Sequence, residues 1–238
     1  MIPADPGELL ADARAGSRGA LARLLTYVES GGEPQRSVAA LAYATPAPYV
    51  VGVTGPPGGG KSTLTDALLS RLLARGDAPL GVLCVDPSSP FTGGAILGDR
   101  IRMQGHATDA RVYIRSMATR GHLGGLALAV PDSVRVLGAA GFARAFVETV
   151  GVGQLEVDVA ATADTTLVVT NPGWGDAMQA NKAGLLEVAD VFVVNKADRD
   201  GVAETRRDLA QMLDLGAARA WRPPIVSTVA TTGDGVDE

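Results

Sequence analysis

Gly55-Pro56-Pro57-Gly58-Gly59-Gly60-Lys61-Ser62, followed by Thr63, matches G-x-x-x-x-G-K-[ST]. Glycines in such a run let backbone N–H groups turn inward around phosphate oxygens. Lys61 is placed to bridge the β and γ phosphates, and the Ser62 hydroxyl to ligate Mg²⁺. The apolar run Tyr49–Thr54 precedes the motif and the helical pattern Ser62–Arg75 follows it. That is the strand–loop–helix setting the motif requires, with the positive end of a helix dipole facing the phosphates.

A second constellation lies far downstream. Val191-Phe192-Val193-Val194 runs into Asn195-Lys196-Ala197-Asp198, an N-K-x-D sequence at a strand end. A carboxylate at Asp198 can accept from both the ring N–H and the exocyclic amino group of guanine. Adenine lacks that donor pair and would leave a buried acceptor without partners. Lys196 is expected along the base plane. A backbone N–H within Thr228–Gly235 is expected to add a second base contact, with Val229, Ala230 and Thr231 as the candidates. Alone, N-K-x-D can be an ordinary polar turn. Behind a phosphate loop it points to GTP or GDP.

Acids close two further strand candidates: Asp86 after Gly81–Val85 and Glu148 after Ala143–Val147. In those places they can hold Mg²⁺ or its waters opposite the phosphates, and Asp99 is a third candidate. The simpler reading is that each caps a strand or helix end. Glu148-Thr149-Val150-Gly151 resembles a D-x-x-G element with Glu for Asp, in which Gly151 senses the γ-phosphate. The loops 87–98 and 149–157 are then expected to change order with that phosphate.

These residues need a scaffold. Short apolar runs at 49–54, 80–85, 111–114, 143–147, 165–170, 191–194 and 225–226 alternate with helical stretches at 62–75, 132–140, 177–188 and 202–215. The near-continuous Val, Leu and Ile content is that of strands buried on both faces. The pattern predicts an α/β fold, a P-loop NTPase with a mostly parallel sheet flanked by helices, and ligands beyond the carboxyl ends of the strands. Residues 6–44 read as helical, with Leu9, Leu10, Ala13, Leu21, Leu24, Leu25 and Val28 forming an apolar stripe. Gly31, Gly32 and Pro34 break that pattern, with a further helix expected over Val38–Tyr43. Residues 1–46 are therefore read as an N-terminal helical appendage or lid, and 47–238 as the nucleotide-binding domain.

Composition narrows the function classes. The net charge is −5 over 238 residues, and no basic stretch is long enough to follow a nucleic-acid backbone. No apolar run reaches the roughly 18 residues of a membrane span, and the N-terminus has no apolar signal core. Neither nucleic acid nor membrane is expected as a partner, and a cytoplasmic location is. Cys84 is the only cysteine, so a multi-cysteine metal cluster is excluded. Of the 21 basic residues only Lys61, Lys182 and Lys196 are lysines, and each lies in a candidate motif.

The longer segments Val85–Gly94, Glu148–Gln154 and Gly175-Asp176 with Gln179 and Lys182 resemble the methylmalonyl-CoA mutase-associated GTPases. That family sits in the metallochaperone-related group of P-loop GTPases and is also labelled an arginine/ornithine (LAO/AO) transport-system ATPase or kinase. The resemblance extends to Val28-Glu29-Ser30 and covers nearly the whole chain. It implies a GTPase chaperone that gates cofactor loading into an adenosylcobalamin-dependent methylmalonyl-CoA mutase. It also implies a Mg²⁺ site served by Asp86, Asp99 and Glu148. Segment 171–182, with Trp174, Asp176, Gln179 and Lys182, resembles the family's third switch, in which Lys182 would act in catalysis. Two departures stand out. Val229-Ala230 replaces the usual Ser-Ala at the second guanine contact. Family members also run on into a helical extension that helps make a homodimer, whereas this sequence ends at Glu238. An ATP-driven transport component and a metal-delivery GTPase are the competing readings. N-K-x-D argues against the first and the lack of clustered Cys or His against the second.

Overall fold

The computed structural model describes residues 4–76, 78–86, 103–106, 108–118, 129–149, 159–173, 182–216 and 220–238. Their strands are β1 (Tyr49–Thr54), β2 (Leu80–Asp86), β3 (Val112–Ala118), β4 (Arg144–Thr149), β5 (Thr165–Thr170), β6 (Val191–Asn195) and β7 (Ile225–Thr228). All neighbouring pairs are parallel, in the order β3-β2-β4-β1-β5-β6-β7. A parallel sheet needs cover on both faces, and the side chains alternate accordingly. Leu83, Val85, Tyr113, Ala145 and Val147 pack on one side. Val82, Cys84, Ile114 and Phe146 pack on the other.

Helix α1 (Pro6–Arg14) is capped by Asp5, whose carboxylate accepts from the N–H groups of Gly7 and Glu8. Helix α2 (Arg18–Ser30) buries Ala20, Leu21, Leu24, Leu25 and Val28, a stripe at spacings of three and four. Helix α3 covers Gly32–Ala42. The break expected at Gly31 and Gly32 is present, but Pro34 does not break the helix, which starts earlier than the expected Val38. Gly31 and Gly32, at φ +72° and +75°, turn the chain, and Pro34 lies in the first helical turn, where its missing N–H removes no helical hydrogen bond.

These three helices join one apolar cluster with the sheet face and with α5 (Val130–Ala139), which follows α4 (Lys61–Arg75) in the chain. Polar contacts reinforce the seam. Arg14 Nε donates to the Ala139 carbonyl at 2.7 Å, and Arg18 donates to the Val112 carbonyl at 2.8 Å while lying over the Tyr113 ring. Arg115 of β3 donates to Glu29 of α2 at 2.9 Å. Helix α4 covers the opposite face. Helices α6 (Lys182–Val188) and α7 (Val202–Leu215) pack near β5 and β6 through Leu185, Leu209 and Phe192. No helix among the described residues is long and apolar enough to cross a membrane.

Candidate functional site

The site forms where β1, β4 and β6 end, at the carboxyl edge of the sheet. The turn after Thr54 runs against β5, and this dictates glycine. A Cβ on Gly55 (φ +128°) would overlap the Val169 carbonyl, and one on Gly59 would press on the carbonyls of Pro56 and Val169 at 3.2 Å. Gly60, at φ +91°, has no room for a side chain because Asn195 Nδ2 fills the space. The chain then enters α4 at Lys61. Its ammonium is buried and donates to the carbonyls of Gly55 and Pro56, at 2.8 and 3.0 Å. The lysine thus folds over the loop whose phosphate it was expected to meet.

Ser62 and Glu148 meet beside this loop. The Ser62 hydroxyl donates to Glu148 Oε1 at 2.5 Å, and both residues are 3% exposed, so water supplies little of their solvation. Thr65, also on α4, lies 3.2 Å from Glu148 Oε2. A hydroxyl and a carboxylate are hard oxygen donors, the chemistry that suits Mg²⁺. One residue further, Thr149 Oγ1 lies 3.0 Å from Thr54 Oγ1, so the β4 end is tied to the strand that feeds the loop.

The N-K-x-D residues reach the same loop from β6. Asn195 is buried, and its Nδ2 donates to the Gly59 carbonyl at 3.0 Å. Its Oδ1 accepts from Thr228 Oγ1 and from the Ala230 N–H, each at 3.1 Å. Lys196, at φ +58°, donates to the Gly58 carbonyl at 2.6 Å. Gly60, Thr63, Asn195, Lys196, Asp198, Arg199, Val229, Ala230 and Thr231 line a cleft of about 140 Å³. Residues from three separate sequence segments therefore converge on one concavity. The Ala230 N–H, one of the candidate base contacts, is turned onto Asn195 Oδ1 here. A bridge between Val229 and Asp234 closes the turn that carries it.

Asp99, Gly151, Trp174, Asp176 and Gln179 lie outside the described residues, as do the loops 87–98 and 150–157. Asp86 ends β2 and Lys182 opens α6, but their side chains lie outside the described part as well. Sequence reasoning missed Thr65 and Thr54. Nothing in their spacing distinguishes them from core threonines, because their partners are 83 and 95 residues away. Among the described residues, no group of three or more His, Cys, Asp or Glu side chains is gathered for a metal. Cys84 is buried in the core, and His106 lies against Ser70 at 3.1 Å.

The family model for methylmalonyl Co-A mutase-associated GTPase MeaB matches residues 21–238. A Pyrococcus abyssi protein carrying a provisional GTPase name is 53% identical over 236 residues, covering 97% of this chain and 72% of that protein. The GTPase ArgK of Escherichia coli is 38% identical over 235 residues, covering 94% of this chain and 71% of its own. Among solved structures, that of an LAO/AO transport system kinase superposes with a TM-score of 0.76 at 30% identity. It covers all of this chain and 73% of the other.

Proposed function

Because the chain belongs to the methylmalonyl-CoA mutase-associated GTPase family and is a GTP hydrolase, we propose that it uses Mg²⁺ and GTP turnover to gate an adenosylcobalamin-dependent mutase. The observation that carries the nucleotide part is the convergence of Asn195 and Lys196 on the carbonyls of Gly58 and Gly59. This contact holds the guanine reader and the phosphate cradle at one spacing. Asp198, on the wall of the adjoining cleft, then selects guanine through its paired N–H donors. That requirement favours GTP over the ATP of a transport ATPase or kinase.

The backbone N–H groups of 58–62 and the Lys61 ammonium bind the phosphates, with Lys61 leaving its carbonyl partners for the β and γ oxygens. Ser62 would hold Mg²⁺ directly, and Glu148, with Asp86 and Asp99, would hold it or its waters. When bound, the ion neutralises charge that develops on the phosphate oxygens. Gly151 would sense the γ-phosphate, and Val229 and Thr231 would border the base. Lys182 and the 171–182 segment would relay the nucleotide state to the mutase, and the protein would act as a homodimer.

The test is turnover with and without a partner. GTP hydrolysis should rise when an adenosylcobalamin-dependent methylmalonyl-CoA mutase is added, and the two proteins should co-elute with a GTP analogue present. No stimulation and no co-elution would leave a GTPase whose partner is something else.

A further inference from the structure

Thr65 sits one turn after Lys61 on α4 and is fully buried. A threonine inside a helix ordinarily turns its hydroxyl back to the carbonyl four residues earlier. Thr65 Oγ1 does lie 3.0 Å from the Lys61 carbonyl, but it is also 3.2 Å from Glu148 Oε2. A hydroxyl carries one proton and serves one acceptor at a time. The Lys61 carbonyl already belongs to the helical ladder, in which the backbone N–H four residues on is its partner. The carboxylate oxygen is charged, and charge-assisted hydrogen bonds are the stronger kind.

Ser62 and Thr65 are three residues apart, so they share one face of α4 and reach the two oxygens of one carboxylate. We propose that Thr65 is a positioning residue for the metal site. It fixes the Glu148 carboxylate so that Ser62, giving its proton to Oε1, keeps its lone pairs turned toward the Mg²⁺ of the bound nucleotide. Ser62 has one proton to give and two lone pairs to keep, so both tasks are compatible. Without the Thr65 hydroxyl, Oε2 has one donor fewer, and the carboxylate can turn away from Ser62. Outer partners of this kind commonly change metal affinity or activity by about 10- to 100-fold. The inference rests on the Mg²⁺-dependent reading above.

Thr65→Val removes the hydroxyl and keeps the shape, and Thr65→Ser keeps the hydroxyl. For each, two Mg²⁺ titrations are run: the rate of GTP hydrolysis, and the dissociation rate of a fluorescent GDP analogue. The affinity for that analogue is also measured in EDTA. The valine variant should need about tenfold more Mg²⁺ in both titrations. Its metal-free affinity should be unchanged, and the serine variant should behave as the parent. Unshifted Mg²⁺ midpoints in the valine variant would overturn the proposal. So would an equal loss of metal-free affinity, or a serine variant that fails to restore the midpoint. If the valine variant does not fold, Thr65→Ala carries the same expectations. A parent protein without Mg²⁺ dependence would overturn both this inference and the metal reading beneath it. A Mg²⁺-dependent parent with indifferent Thr65 variants would overturn this inference alone.

Discussion

The Lys196 ammonium donates to the carbonyl of Gly58 at 2.6 Å across a sequence separation of 138 residues. Its neighbour Asn195 does the same to Gly59. The base reader and the phosphate loop are thus linked directly, by side chain to backbone. The four-carbon stem of Lys196 spans the gap from a residue held at φ +58°, a region that side chains seldom adopt. Such a strained position is kept when neighbouring contacts over-determine it.

Gly60→Ala tests this linkage from the loop side. The new methyl would collide with Asn195 Nδ2 at φ +91°. A left-handed non-glycine costs about 1–3 kcal/mol before the collision is counted. For a domain of this size the melting temperature should fall by roughly 2–4 °C per kcal/mol. Affinities for GTP and GDP should fall together, by at least about tenfold, because each kcal/mol and a half lost at the site is about a factor of ten. Calorimetry of both nucleotides, with a melting curve, checks this. Unequal losses would mean that the collision acts on the γ-phosphate alone.

Asp198→Asn tests the base. The amide can donate to the extra carbonyl of xanthine but can no longer accept both guanine donors. GTP discrimination should fall by at least about a hundredfold, because the paired guanine donors lose their acceptor once the base is bound. Competition of GTP, XTP and ATP for one fluorescent probe measures it. Retained GTP preference would reduce Asp198 to a turn residue.

The sequence made most of this framework legible, and physical reasons separate what it revealed from what it hid. The β1 run and the α7 pattern coincide with the observed elements, because continuous Val-rich runs and an apolar stripe are local signals. Gly55 and Gly60 were readable as obligatory glycines because the motif fixes their spacing. Helix α3 was harder: a proline in the first turn and one in the middle look alike without the cap, and here the turn at Gly31 and Gly32 decides. The Ser62–Glu148 contact joins residues 86 apart, and only the β1–β4 pairing brings them together. The turn of the Ala230 N–H onto Asn195 depends on the hairpin-like closure at Val229 and Asp234, which no propensity encodes.

Glu148→Gln tests whether the acid works on charge that develops during the reaction. The amide keeps the volume and can still accept from Ser62, so folding should survive. Preorganised polar groups at such sites are worth about 100-fold or more in rate. Turnover should fall by about that factor, while GDP affinity changes by less than about tenfold. Single-turnover hydrolysis and GDP titration, run at one Mg²⁺ concentration, separate the two. Equal losses would place Glu148 in the architecture only.

Arg115 and Glu29 offer a last test, of the seam between the helices at the N-terminus and the sheet. Arg115 Nε donates to Glu29 Oε1 at 2.9 Å, and Nη2 lies 3.2 Å from Thr26 Oγ1. Their side chains are 23% and 16% exposed, so solvent screens the pair only in part. Removing one residue takes this ion pair from the other, whose charge stays largely shielded from water. Hydrogen bonds to charged groups contribute about 1.5–3 kcal/mol each. Losing one such bond, Arg115→Ala should lower the melting temperature by roughly 3–12 °C, at 2–4 °C per kcal/mol. Replacing both residues removes both shielded charges as well as the contact. Arg115→Met with Glu29→Met should then lose less than the sum of the two single changes, since apolar replacement of a desolvated pair is often close to neutral. A double-mutant cycle by thermal melting measures the coupling. Additive losses would mean that the arginine and glutamate act separately, and that the α2–β3 seam is held by Leu21, Leu24, Leu25 and their apolar neighbours alone.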